Sequence, residues 1–168
     1  MKINSRDSIE HKLNEKFAGV LEKALKRHGH IVDVVDYPDY SNSADINKTI
    51  SYTNARNADL FVSIHANAVG AKGWQQMRCN ASGTVVLYYS ANGKRKAEAI
   101  AKACRECRRQ HGGPDNRCDI IAKSTVAVLT KTDPTAVLVE TCFYDNVNDL
   151  LWLLDNMDYM AEAIAKSI

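Results

Sequence analysis

The chain has little of what would place it outside ordinary folded proteins. Of its 168 residues only 3 are Pro and 8 are Gly, which excludes a collagen-like or low-complexity composition. No apolar run approaches the roughly 18 residues of a membrane-spanning helix, so stable membrane insertion is not expected. The opening Met1-Lys2-Ile3-Asn4-Ser5-Arg6-Asp7 lacks the apolar stretch of a secretory signal, which points to synthesis in the cytoplasm. A dominant charge sign is also missing: 22 Lys and Arg against 20 Asp and Glu give a net +2, which excludes the basic excess of a nucleic-acid-binding chain. Cysteine is present in an odd number, five (Cys79, Cys104, Cys107, Cys118, Cys142), which does not describe a disulfide framework. A chain of this length buries roughly 70% of its unfolded surface and needs no such staples, so free thiols in a reducing compartment are the expectation.

The apolar residues that are present follow recognisable periods. Ile9, Leu13, Phe17, Val20, Leu21, Ala24 and Leu25 make one helical stripe ending near Gly29. His30 to Val35 reads as a strand, the segment around Pro38 and Ser41-Asn42-Ser43 as a loop, and Ser43 as the cap of a helix reaching Ala58. Asp59 to Ile64 and Pro134 to Thr141 are short, nearly continuous apolar runs of the kind found in strands covered on both faces. Val69 to Ser82 reads as a loop, Gly83 to Tyr89 as a strand, Gly93 to Arg109 as an alanine-rich helix, and Val147 to Asn156 and Tyr159 to Ile168 as two closing helices. Alternation of strands and helices over residues 1–168 predicts a single α/β domain with three layers, α/β/α, around a mostly parallel central sheet.

Two chemically capable residues stand where buried strands end. His65 closes the first such run and Glu140 the last, and open α/β sheets place their ligands outside the carboxyl ends of strands. Glu10, in the first turn of the first helix, is a third candidate for the same rim. One histidine and two carboxylates suit a hydrolytic metal site with one carboxylate left as general base. Each has a plainer reading. Glu10 lies three residues after Asp7 and completes a capping box equally well, and a lone histidine at a strand end is often only hydrogen-bonded. Glu140, directly after Ala-Val-Leu-Val, is costly to bury without a purpose or a partner. Cys104, Cys107, His111 and Cys118 are spaced C-x2-C-x3-H-x6-C but miss the usual zinc-knuckle spacing, and no histidine is placed to make Cys142 a nucleophile. Trp74 and the Tyr88-Tyr89 pair suit either glycan contact or packing.

Several blocks resemble the zinc-dependent N-acetylmuramoyl-L-alanine amidases of bacterial cell-wall hydrolases and phage endolysins. Glu10-His11-Lys12-Leu13-Asn14, leading to Leu21, Leu25 and Gly29-His30-Ile31-Val32, is similar to the family's ligand Glu, the Asn four residues on, and its helix-to-strand passage. Asn57 to Asn67 resembles "ADLFISIHAN", whose His is a zinc ligand. Gly83 to Tyr89 resembles "G.EVYY", and Asp133 to Phe143 with Asn146 and Asp149 resembles "PAVLVE.GF..N..D", whose Glu is catalytic. The resemblance implies Zn2+ as cofactor, Glu10 and His65 as metal ligands at the carboxyl ends of the strands, and Glu140 as the catalytic residue. It further implies peptidoglycan as substrate, cleavage between N-acetylmuramic acid and L-alanine, and action on the bacterial cell wall after endolysin-like release. In the family, an opening strand and a Gly-His-Gly-Gly-like turn supply the first histidine ligand. Only nine residues precede Glu10 here and none is His. His11 points about 100° away from Glu10 around the helix and is no obvious substitute. A missing N-terminal segment, a substituting residue, or a degenerate module that binds peptidoglycan without cleaving it are the three expectations this departure leaves.

Overall fold

The computed structural model describes residues 9–35, 43–70 and 79–168. Helix α1 (Ile9–Arg27) buries Leu13, Phe17, Leu21 and Ala24, the stripe expected of its periodicity. It stops in a paired C-terminal turn: Gly29 N donates to Lys26 O and His30 N to Leu25 O, each at 3.1 Å. That turn needs a left-handed residue, and Gly29 has φ 86°.

The stretch after it departs from the expected strand. Residues 31–35 belong to no strand, with Ile31 fully exposed and Val34 49% exposed. Strand-forming side chains do not make a strand without a neighbouring one to complete the ladder, and no described strand lies beside them. Helix α2 (Ser43–Asn54) likewise ends before the expected Ala58, and Asn57 takes a left-handed φ of 49°. The remaining elements are β1 (Leu60–Asn67), β2 (Thr84–Tyr88), α3 (Ala91–Gln110), β3 (Cys118–Ala122), α4 (Ala127–Thr130), β4 (Thr135–Phe143) and α5 (Val147–Ala165). Ser90 caps α3 by accepting from Gly93 N at 3.0 Å. The two closing helices expected from sequence are one helix, α5, bent at Asn156, whose backbone leaves helical angles and whose Nδ2 donates to Trp152 O at 2.9 Å. Asp7, Pro38, Ser41-Asn42, the Ser43 side chain and Trp74 lie outside the described residues.

The sheet order is β1-β4-β2-β3. β1 pairs with β4 and β2 with β3 in parallel, while β2 runs antiparallel to β4. Two of the three pairings are therefore parallel, and the antiparallel one brings the start of β2 to the same edge as the ends of β1 and β4. Alternate residues of β4 are buried on both faces. Val137 and Val139 face a large core with α1, α3 and α5, and Ala136 and Leu138 face a smaller one with Phe61, Leu87 and Leu129 of α4. Helix α2 joins the smaller layer through Asn54, which donates to Lys131 O at 3.1 Å and accepts from Asp133 N at 2.8 Å.

Inside the larger layer lies a wholly buried ion pair. Arg108 Nη1 of α3 meets Asp149 Oδ1 of α5 at 2.7 Å with both side chains at 0% exposure, and the guanidinium stacks over Trp152 at 4.4 Å. Burying two charges is tolerable only when every polar atom is answered. Asp149 Oδ2 accepts from Gly83 N at 3.1 Å and Phe143 N at 2.8 Å. Arg108 gives Nε to Thr84 Oγ1 at 3.1 Å and Nη2 to Thr141 O at 3.0 Å. Gly83 itself sits at φ 109°, with no room for a Cβ against the Arg117 carbonyl.

Asp149 thus accepts three donors, and an amide in its place would turn an NH2 group toward one of them. Asp149→Asn is expected to lower the unfolding free energy by about 3–5 kcal/mol, the usual cost of breaking a buried pair. Urea unfolding measures it, and a loss below about 1 kcal/mol would mean the network relaxes around the amide.

Candidate active site

The chemistry-bearing residues converge where β1 and β4 end. His65 of β1 is the register partner of Glu140 of β4. Partners in a parallel pair point to the same face, so these two side chains are neighbours beyond Leu138. Glu10 comes from the first turn of α1 and brings Oε1 to 3.2 Å from His65 Nδ1. The imidazole and the Glu10 carboxylate remain about one-third exposed, open to solvent from the rim, at 34% and 36%. Glu140 is more enclosed, and its Oε2 is buried without a hydrogen-bond partner. Burial raises its pKa above the ordinary carboxylate range, His65 counteracts the rise, and Glu10 adds to it. The structure thus brings Glu10, His65 and Glu140 together.

Three further residues belong to this rim. Tyr144 follows β4, its amide donates to Asn67 O at 2.9 Å, and its phenol pKa is raised by burial and by Glu10, Asp145 and Glu140. Asp145 Oδ2 accepts from Val69 N at 2.9 Å and Gly70 N at 3.0 Å, holding the chain where it leaves β1. Asn14, one turn beyond Glu10 on α1, buries an Oδ1 that has no partner. Asn14 was visible as the Asn four residues after Glu10. Tyr144 and Asp145 carry no signal of their own beyond their place just after the Glu140 strand.

Other histidines, the thiols and the tyrosine pair lie elsewhere. His28 Nε2 meets Glu162 Oε1 at 2.6 Å on the surface, at the opposite end of α1 from Glu10. His111 stacks on Tyr159 at 4.0 Å, and its carbonyl accepts from Trp152 Nε1 at 2.9 Å. Cys104, Cys107 and Cys118 are buried free thiols whose pKa values burial pushes up, that of Cys107 to about 11. Burial also raises Cys142, which is fully enclosed, far from the thiolate a nucleophile needs. Tyr88 packs into the larger core and Tyr89 is 54% exposed, both at the far end of β2 from Glu140.

A tetrahedral zinc with bonds near 2.0–2.1 Å holds neighbouring ligand atoms about 3.3 Å apart. The 3.2 Å between His65 Nδ1 and Glu10 Oε1 fits two such ligands. Among the described residues no group of three His, Cys, Asp or Glu side chains is placed to hold a metal ion. Among the described residues the donor set is therefore two, Glu10 and His65.

The family model described as N-acetylmuramoyl-L-alanine amidase matches residues 2–168. The chain is similar to the catalytic domain of CD27L endolysin targeting Clostridia Difficile, with 26% identity, a TM-score of 0.76, and coverage of 94% of this chain and 82% of that one. It is also similar to N-acetylmuramoyl-L-alanine amidase AmiC2 of Nostoc punctiforme, at 26% identity, TM-score 0.75, and coverage of 95% and 82%. The catalytic domain of CwlV from Bacillus (Paenibacillus) polymyxa var. colistinus shares the fold at 24% identity and TM-score 0.74, over 98% of this chain and 85% of that one. Among curated proteins nothing matches the chain.

The raised pKa of Glu140 has a consequence for stability. An unfolded Glu titrates near about 4.3, so between that value and the higher folded one the native state binds the extra proton. The charge on Glu140 therefore costs stability increasingly as pH rises through this window, and fully above it. Glu140→Gln is expected to raise the Tm of chelator-treated protein at pH 7, with the gain vanishing below about pH 4. Thermal unfolding across pH checks this, and a lower Tm at pH 7 would mean that contacts of the carboxylate outweigh its burial.

Proposed function

Because the chain belongs to the N-acetylmuramoyl-L-alanine amidase family, we propose that it hydrolyses the amide between N-acetylmuramic acid and L-alanine in peptidoglycan, as the catalytic domain of an endolysin or autolysin. The observation that carries this reading is the juxtaposition at one rim. A buried carboxylate with an unpartnered oxygen, Glu140, stands in register with a histidine whose ring nitrogen lies 3.2 Å from a second carboxylate, Glu10. Amide hydrolysis needs a group that removes a proton from water and returns it to a poor leaving amine. A carboxylate whose pKa burial has raised is suited to both halves of that transfer.

Glu10 and His65 are proposed as two ligands of Zn2+. A bound zinc would polarise the scissile carbonyl and lower the pKa of a water toward about 7. The remaining work falls to this chain's own side chains. The free Oε2 of Glu140 accepts the proton of the attacking water. The same oxygen then protonates the amine of L-alanine, so that the stem peptide leaves from the lactyl carbonyl. Tyr144, whose phenol feels the charges of Glu10 and Glu140, is proposed as a further group that contacts the substrate. No described helix is long and apolar enough to cross a membrane.

A second reading, a module that binds peptidoglycan without cutting it, is favoured only by the incomplete donor set among the described residues. Zinc content per folded chain separates the two. The amidase reading expects about one tightly held zinc in the wild type, its loss in His65→Ala, and its retention in Glu140→Ala with wall hydrolysis gone. Zinc held by His65→Ala as firmly as by the wild type would remove His65 from the ligand set. A wild type that holds no zinc and binds walls without clearing them would turn the assignment to the binding module.

A further inference from the structure

β1 and β4 keep parallel register from Leu60 with Thr135 to His65 with Glu140, and the register then breaks. Asn67 pairs with Phe143, so two residues of β4, Thr141 and Cys142, stand against Ala66 alone. Bulges are uncommon in parallel pairs and concentrate beside functional sites, because the extra residue interrupts the ladder and re-aims what precedes it. This one falls immediately after the pair that carries the proposed chemistry.

An interrupted ladder leaves backbone groups to be answered in some other way. Here a side chain answers: Thr141 Oγ1 donates to the carbonyl of His65 at 3.0 Å. The bond runs from the residue directly after Glu140 to the backbone of the histidine beside it. Thr141 is in turn held from behind. Its carbonyl accepts from Arg108 Nη2 at 3.0 Å and from Thr84 Oγ1 at 3.1 Å. Arg108 is locked by Asp149 at 2.7 Å, and Thr84, Arg108, Thr141 and Asp149 are all at most 1% exposed. The anchor is therefore rigid, and the Thr141 hydroxyl carries it to the backbone of His65 on β1.

We propose that Thr141 is a positioning residue. Its hydroxyl clamps the His65 backbone to the backbone that carries Glu140, and so sets the spacing of imidazole and carboxylate, with the buried Arg108 and Asp149 pair as its footing. This rests on the proposed amidase reading, in which that spacing governs proton transfer. A hydroxyl that merely satisfied a buried carbonyl would affect stability and leave turnover alone.

The test compares Thr141→Val, which keeps the shape and removes the hydroxyl, with Thr141→Ser, which keeps the hydroxyl, using the whole chain and a soluble muramoyl-peptide. Glu140→Gln is assayed alongside. The clamp expects Thr141→Val to lose roughly tenfold to a hundredfold in kcat with KM little changed, and Thr141→Ser to recover most of it. Thr141→Ala replaces the valine variant if the latter does not fold. The carbonyl 13C shift of His65, read by NMR, reports the hydrogen bond independently of turnover and should move in Val and return in Ser. Full kcat in Thr141→Val with the His65 shift moved overturns the proposal, as does a serine variant as slow as valine. Full activity of Glu140→Gln instead removes Glu140 as the proton acceptor, and with it the spacing the clamp is proposed to set, whereas an inert wild type overturns the amidase reading. With an inert wild type the ring shifts of the His65 imidazole decide, since a hydroxyl that only satisfied the carbonyl would leave them in place: the clamp stands if they move in Val and return in Ser, and falls if they do not.

Discussion

The parallel pairing of β1 with β4 is the constraint on which the site depends. Register in a sheet is a discrete quantity, since a slip of one residue turns every side chain to the other face. With Val62, Ile64, Val137 and Val139 committed to the larger core and Phe61, Ala136 and Leu138 to the smaller, neither strand can slip without exposing apolar surface on both sides. The burial of those residues therefore sets His65 opposite Glu140, one residue beyond the last fully apolar layer. Hydrophobic packing, which has no interest in chemistry, delivers the histidine and the carboxylate to the same place.

Around that pairing the polar groups divide into two kinds. Behind the strands, Arg108, Asp149, Thr84 and the Thr141 carbonyl form a network in which each side-chain donor and acceptor meets another. At the rim the opposite holds: Asn14 Oδ1, Glu140 Oε2 and Asp145 Oδ1 are buried without partners. Unanswered polar atoms are costly in a fold and are tolerated where a substrate, water or ion will meet them. The satisfied network also gives the rim a fixed footing beneath β4, from which the strand end does not relax to satisfy its own carboxylate.

The antiparallel entry of β2 shapes the same edge. Because β2 runs against β4, its beginning lies at the edge where β4 ends, with Gly83 just before it giving its amide to the buried Asp149 beneath. Its end carries Tyr88 and Tyr89 to the opposite side of the sheet, away from Glu140. An aromatic pair that reads in sequence as a possible glycan contact is thereby excluded from the site by strand direction alone.

Much of this was present in the sequence. The stripe of α1, the buried runs that became β1 and β4, and the positions of Glu10, His65 and Glu140 at element ends follow from local periodicity, because a side chain's place on a helix or strand is a local property. The resemblance to the amidases rested on the same blocks, and the family match extends over them. Other features needed the tertiary structure. Residues 31–35 have strand-like side chains and form no strand, since pairing is a property of two segments and no described neighbour is there. The direction of β2, the bulge after Glu140, the union of α5 across Asn156 and the burial of Arg108 with Asp149 all depend on contacts between residues far apart in the chain. Local sequence determined which residues could do chemistry and on which element each would stand. Only the packing of the sheet decided which of them would meet, because distance in space between remote segments is set by the register and layering of the whole fold.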